Sequence, residues 1–258
     1  MISMAKCLCH EKITENCSNA GFRLHSHNEY EILMFLDGNS KYIIEDKIYT
    51  LEKGDVIIAK HHELHRIYHN TPAQYHRIVI KVPPQFFEEK NCAEYVRFFD
   101  EKSMDSGSKI DNLTVKSSGL YDAVMRFKKY SDNFKNANSP ITDSIIVEIF
   151  YIISKAVSFS APDTGNSQVK SIIAYINENF TQKITLDTLA EKFFISKYHL
   201  CRIFRKATGL TVLDYIRSKR LIFAKELISK GYNKTEAALM AGFNDYSLFY
   251  RARESGDI

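Results

Sequence analysis

Two sets of side chains in this sequence have types and spacings that could do chemistry, and they lie far apart in the chain. From Thr185 to Gly209 it reads TLDTLAEKFFISKYHLCRIFRKATG, two short helical patterns joined by a tight turn. Leu186, Leu189, Ala190 and Phe193 recur at i, i+3, i+4 and i+7, the period of a helix with one buried face. Ser196 then stands where a hydroxyl can cap a second helix, which buries Leu200, Ile203, Phe204 and Ala207 and stops at Thr208-Gly209. Its opposite side carries Tyr198, His199, Arg202, Arg205 and Lys206. Such an aromatic and basic face suits a DNA major groove, where an arginine can fork onto a guanine edge. The plainer alternative is a helical hairpin with a solvated basic side. The second set is His25-Ser26-His27 with Glu31 four residues on, three polar groups on one parity and so on one face of a strand. His65 follows, eleven residues after Gly54.

The elements that must position these groups differ along the chain. Between residues 22 and 82, EYEILMFLDG, SKYIIED, KIYTLEKGDVIIAK and QYHRIVIKV are rich in β-branched and aromatic residues and are punctuated by Asp37-Gly38, Glu45-Asp46 and Lys53-Gly54. Short strands at that rhythm predict a sandwich or barrel over residues 1–82, with a hairpin around Glu45-Asp46-Lys47. From 83 to 160 the period turns helical, as in Leu120, Val124, Phe127 and Ile145, Ile149, Ile152. The last of these helices is apolar on several sides, and is expected to pack under the barrel or to present a stripe to a second subunit in a homodimer. Residues 161–168 read as a linker. In 169–258, an amphipathic helix through Val169, Ile172, Ile173 and Ile176 leads into the two-helix stretch. A long helix follows, with Leu213, Ile216, Leu221, Ala224 and Leu227 inward and Arg217, Lys219 and Arg220 outward. Another short helix pair around Gly242 completes a duplicated helix-turn-helix arrangement. The predicted class is α+β and multidomain.

The glycine, histidine and glutamate spacing in GFRLHSHNEYEILMFLDG resembles the first cupin motif, carried here by Gly21, His25, His27, Glu31 and Gly38. GDVIIAKHHELH resembles the second, carried by Gly54 and His65, with Lys60, His62 and His69 standing where the motif has Pro, Gly and Asn. The resemblance implies a cupin-like barrel. In metal-binding cupins the matching residues hold a divalent ion, which makes His25, His27, Glu31 and His65 the candidate effector or metal site. Nitrogen and oxygen donors suit Zn, Fe, Mn or Ni. Because the second motif departs from the pattern, the barrel is expected to carry no resident metal, with a divalent ion as the alternative.

Residues 169–252 resemble the DNA-binding domain of the AraC/XylS family of transcriptional regulators, through ITLDTLAEKFFISKYHLCRIFRKATGLTVLDYIRSKRLIFAKELI and the Ala-Gly-Phe-Asn-Asp-Tyr-Ser-x-Phe run at 241–249. That resemblance implies base contacts from Tyr198, Cys201 and Arg202 in the first module and from Tyr246, Ser247 and Arg251 in the second. Arg202 and Arg251 have the chemistry to read guanine, and Tyr198 can meet a thymine methyl. Arg205, Lys206, Lys197 and Arg220 are expected to touch phosphate or solvent. The sequence departs from the family at its end. Arg253 stands where a second Phe is expected, and the closing helix is missing, so the second module is expected to be the least stable part.

Composition narrows the functional classes. The net charge of +4 is uneven: residues 167–258 hold 15 Lys/Arg against 9 Asp/Glu, and the remainder 20 against 22. The basic excess thus lies where phosphates would be met. MISMAKCLCHEK lacks the apolar core of a signal peptide, and SIIVEIFYIISKAV, broken by Glu148, is too short to span a membrane. Five cysteines without framework spacing suit a reducing cytoplasm. Cys7, Cys9, His10 and Cys17 lie close enough in sequence to hold a metal, but frayed terminal thiols are the expectation. No nucleophile, paired acid and base or phosphate loop accompanies the histidines. The reading is a regulator of transcription that binds duplex DNA and an unidentified small-molecule effector. The competing classes are a cupin-type metal-dependent enzyme and an interaction module that has lost DNA binding.

Overall fold

Strand β2 (Tyr30–Asp37) sets the plan of the N-terminal half, because both of its faces are buried. Tyr30, Ile32 and Met34 point to one core and Leu33 and Phe35 to another. The period-2 geometry of a strand makes that division. In the computed structural model, which describes residues 7–19, 22, 24–45, 47–61, 63–100, 107–133, 139–155 and 167–244, β2 lies at the centre of a five-stranded sheet. Its order is β1 (Leu8–Thr14), β7 (Tyr75–Val82), β2, β5 (Val56–Ala59) and β8 (Lys109–Ile110), and every described pairing is antiparallel. A second sheet of β4 (Lys47–Thr50), β3 (Ser40–Ile44) and β6 (His65–His69) faces it. Tyr42, Ile44, Tyr49 and Ile67 from the second sheet meet Leu33, Phe35, Ile57, Tyr75 and Val79 from the first. This is the interior of the expected barrel.

The outer face of the large sheet is covered by helices. Ile32, Met34, Ile58, Ile78 and Ile80 share a core with Phe86 and Phe87 of α1 (Pro84–Glu89), Val96 of α2 (Glu94–Asp100) and Val115 of α3 (Asn112–Ser117). Leu120, Val124 and Phe127 of α4 (Leu120–Asn133) and Ile145, Ile146, Ile149, Phe150 and Ile153 of α5 (Pro140–Lys155) complete it. The apolar helix α5 therefore packs beneath the sheet.

Two expectations for this half are corrected. Residues 8–14 form β1 along the sheet edge, and Cys7 and Cys9 pack toward the helix-side core while Cys17 joins the barrel interior. The thiols are thus divided between two cores and do not assemble a metal site. Burial pushes the Cys7 thiol up to about 12 and the Cys9 thiol up to about 11. The helical middle, expected from residue 83 onward, returns a strand to the barrel. Ile110 pairs with Val56 and is fully buried, and Asp55 accepts from the Asn112 amide at 2.9 Å. A two-residue strand has no readable period.

The C-terminal helices follow their caps. α6 (Ser167–Asn179) starts inside the stretch read as linker, whose residues 161–166 lie outside those described. Thr185 caps α7 (Leu186–Lys192) through a reciprocal pair with Thr188. Ser196 caps α8 (Lys197–Thr208) by accepting from the His199 amide, and Gly209 closes it at φ 73°. α9 (Val212–Ser229) and α10 (Lys234–Met240) are capped by Thr211 and Asn233. Along α9 the inward residues begin at Val212, Tyr215 and Ile216, and Leu213, expected inward, is exposed. The position after a cap faces whichever side the preceding turn dictates, which hydrophobicity alone cannot read.

Candidate functional site

The first module's reader stands as the cap chemistry requires. Leu189 and Ala190 of α7 and Leu200, Ile203 and Phe204 of α8 are buried with Val169, Ile172, Ile173 and Ile176 of α6. That packing turns the other side of α8 outward. Tyr198 is 79% exposed, Arg202, Arg205 and Lys206 are exposed, and Cys201 is half-buried. Arg202 Nη2 lies 3.3 Å from His199 Nδ1, so one imidazole steadies the guanidinium without covering it. Lys197 is held by Asp187 at 2.8 Å, and that carboxylate raises its pKa. It is therefore already paired before any phosphate approaches. Arg220, expected to face phosphate or solvent, instead donates to the Phe180 carbonyl at 2.6 Å and the Gln182 carbonyl at 2.7 Å, tying α9 to the end of α6. Tyr246, Ser247 and Arg251, with the rest of the chain after residue 244, lie outside the described residues.

The polar set of the barrel converges. One ligand atom from each of His25, His27, Glu31 and His65 lies within 4.8 Å of the others. The route differs from the single strand face expected, since His25 forms only an isolated bridge to His65 and His27 sits in the following loop. Glu31 projects into the interior from β2, on the same parity as Leu33 and Phe35. His27 Nε2 is 2.9 Å from Glu31 Oε2, and Tyr42 Oη donates to Oε1 at 2.9 Å. Lys81, opposite Glu31 in the β2–β7 register, brings its Nζ to 3.3 Å from Oε2. Burial opposes ionisation of Glu31, but His27, His65 and Lys81 outweigh it and hold the carboxyl well below the usual range.

The tautomers are set from behind. His27 Nδ1 is 3.1 Å from the Glu29 carbonyl and His65 Nδ1 is 2.8 Å from the Glu63 carbonyl, so both Nδ1 atoms carry protons. Both Nε2 atoms then face Glu31. His65 Nε2 is fully buried without a hydrogen-bond partner, 3.7 Å from Glu31 Oε2. A backbone carbonyl behind each ring fixes its orientation. With Glu31 ionised, an Nε2–H points at the carboxylate; burial opposes protonation of His65, but Glu31 outweighs it and raises the His65 pKa. Only on losing those Nε2 protons would the nitrogen and oxygen donors fit a divalent first-row ion.

The two halves also meet, through residues that sequence reasoning missed. Leu24 and Leu64 are buried in the core of the helix-turn-helix domain, beside Leu200, Phe204, Val212 and Tyr215. Glu45, at the β3–β4 turn with φ 52°, accepts from the Leu64 amide at 3.0 Å, from the Lys219 ammonium at 2.6 Å and from the Tyr215 hydroxyl. Arg66 lies so close to the end of α8 that a Cβ on Gly209 would collide with its guanidinium. Only long-range pairing brings these residues together, and no local period marks them.

The pieces define a class: a helix-turn-helix DNA-binding protein whose reader is joined to a small two-sheet sensory domain. A family described as the AraC-like ligand binding domain matches residues 10–90, and a helix-turn-helix domain matches residues 189–254. The HTH-type transcriptional regulator YbfI of Bacillus subtilis (strain 168) is 23% identical over 231 residues, covering 88% of this chain and 80% of that one. The HTH-type transcriptional activator RhaS of Salmonella schwarzengrund (strain CVM19633) is 21% identical, covering 89% and 82%. The structure of ToxT from Vibrio cholerae O395 aligns over 97% of this chain and 93% of that one, at 12% identity and a TM-score of 0.43. The chain belongs to the AraC family of transcriptional regulators, with a helix-turn-helix DNA-binding domain and an N-terminal ligand-binding domain. It is a regulator and not an enzyme.

Proposed function

We propose that this regulator reads duplex DNA chiefly through α8, with Arg202 on a guanine edge, Tyr198 against a neighbouring base and Cys201 close to the groove floor. The observation that carries the reading is the exposure of Tyr198 and Arg202 on a capped helix whose other side is buried. Arg205 and Lys206, a turn further along, would neutralise phosphates and supply affinity without selectivity. A small effector taken up by the barrel would set how the reader is presented. The RhaS relatives are transcriptional activators, and activation is the role assigned here. The protein would act in the cytoplasm, where its DNA lies. No helix among the described residues is long and apolar enough to cross a membrane.

A retardation assay on DNA carrying the operator, at low and physiological salt, tests this. Affinity should fall steeply with salt as counterions are released. Arg202→Ala should lose about 1–3 kcal/mol of discrimination at one or two base pairs, whereas Arg205→Ala should weaken all sequences alike. Equal losses on specific and random DNA from both variants would refute the assignment.

A further inference from the structure

Helix α7 closes on a residue that the other helices avoid. The Phe194 amide donates to the Glu191 carbonyl at 3.2 Å and the Ile195 amide to the Ala190 carbonyl at 3.0 Å, the paired bonds of a Schellman turn. Phe194 is the residue that must turn left-handed, at φ 54°. The same two bonds close α1 on Asn91 at φ 51°, α9 on Gly231 at φ 97° and α10 on Gly242 at φ 89°. Glycine and asparagine accept that conformation, whereas the Cβ of a phenylalanine is strained in it. By the repeat read in the sequence, α10 stands in the second module where α7 stands in the first. The chain thus holds its own comparison, with glycine at one position and phenylalanine at its counterpart.

The ring of Phe194 has no place in the fold. Phe193 and Ile195, on either side of it, pack against the core of the helix-turn-helix domain. Phe194 itself is 94% exposed, more than any other large apolar side chain among the described residues. Folding therefore gains nothing from the ring, and bears both its backbone strain and its contact with water. Strain kept where packing does not need it points to function. The location supplies the partner. Phe194 lies two residues before Ser196, the cap of α8, at the end of the reader that leads into a major groove. Exposed Lys192 and Lys197 flank it in the sequence, and exposed Tyr198 follows. The wall of the groove is a sugar-phosphate strand, whose deoxyribose carbons offer an apolar surface between the charges.

We infer that Phe194 is a DNA-contacting residue, which packs its ring on a deoxyribose at the groove edge and adds affinity for duplexes of any sequence. The inference rests on the proposed reading of α8, since it takes α8 as the helix that enters the groove. Two consequences set this contact apart from those of the basic side chains. The ring carries no charge, so its contribution releases no counterions and is blind to salt. It also sits in a conformation that glycine or asparagine adopts more easily, so replacing it should improve the free protein and harm the complex.

The test uses the full chain and a random-sequence duplex at low salt, with urea unfolding of the free protein alongside. Phe194→Gly and Phe194→Asn should raise the urea midpoint yet weaken binding about three- to tenfold, the loss expected if about half of the side chain leaves water in the complex. The slope of log affinity against log salt should stay the same. Phe194→Ala keeps a Cβ and hence the strain, so it should weaken binding as much with an unchanged midpoint. Phe194→Tyr should bind within about twofold of the parent. Unchanged binding by the glycine and asparagine variants, a lower midpoint in both, or a reduced salt slope would each overturn the inference. Unchanged binding with lost activation of a reporter would assign Phe194 to a protein partner and overturn it as well. Arg205→Ala separates the two readings, because it should weaken the same duplex with a slope reduced by about one. If it does so while Phe194→Gly binds like the parent, the reading of α8 stands and the inference falls. If only Phe194→Gly weakens binding, the contact of the ring stands and the assignment of phosphates to α8 fails.

Discussion

Removing Glu45 gives the sharpest measure of how the two halves are held. Its carboxylate accepts from the Leu64 amide, the Tyr215 hydroxyl and the Lys219 ammonium, and the side chains of Glu45 and Lys219 are only 13% and 16% exposed. Truncation leaves an ammonium, a hydroxyl and an amide largely out of water with their acceptor gone. Hydrogen bonds to charged groups are worth about 1.5–3 kcal/mol each, and stripping one partner from a buried pair costs about 3–5 kcal/mol. Some water will reach the gap, so Glu45→Ala should destabilise the protein by about 3–4 kcal/mol. Lys219→Ala should cost about 1–3 kcal/mol, because Glu45 keeps its two other donors. The double variant should fall short of the sum by about 1.5–3 kcal/mol, measured as a double-mutant cycle from urea unfolding of the full chain. A coupling below about 0.5 kcal/mol, the scatter of independent sites, would mean that Glu45 and Lys219 do not hold each other in solution.

At Gly242, φ is 89° and an added Cβ would lie 2.4 Å from the Thr181 carbonyl oxygen, a backbone atom with little room to yield. Gly242→Ala should therefore cost about 2–4 kcal/mol, read as a lower urea midpoint with the barrel's stability unchanged. Asp111 caps α3, and the amide of Thr114 above all holds its carboxyl below the usual value. Its contribution is present above the unfolded pKa of about 3.9 and is lost as pH falls through the lower folded value, so Asp111→Ala should cost about 1 kcal/mol at neutral pH and little in strong acid. A difference that persists in acid would contradict the capping role. With burial holding the Cys7 and Cys9 thiols near 12 and 11, neither should alkylate in the native state at mildly alkaline pH, and both should react once urea unfolds the chain; mass mapping of the adducts decides it.

What the sequence disclosed and what it hid follow from the range of the interactions. The reader helix was legible because caps and periods are local: Ser196, Gly209 and the Leu200, Ile203, Phe204 spacing all act within a few residues. The hairpin at Glu45 was legible for the same reason. The donor set of the barrel came from a motif, and its members do converge, but the loop path of His27 and the approach of Lys81 depend on which strands pair and in what register. β1 and β8 escaped notice because one begins in a stretch read as a frayed terminus and the other is two residues long. The grip of Glu45 on α9 spans 170 positions to Tyr215 and 174 to Lys219, and no pattern within either segment announces it.

The alternation of β6 sets a reading frame for the whole molecule. Within four consecutive residues, Leu64 and Arg66 serve the DNA-binding half while His65 and Ile67 serve the interior of the barrel. Deleting a single residue just upstream, without harming any side chain, would exchange the two assignments. Imidazole would then be pressed into an aliphatic core, and leucine would be offered to a carboxylate. Both halves would be spoiled by one slip, so the loop from Lys60 to Glu63 can vary in composition far more freely than in length.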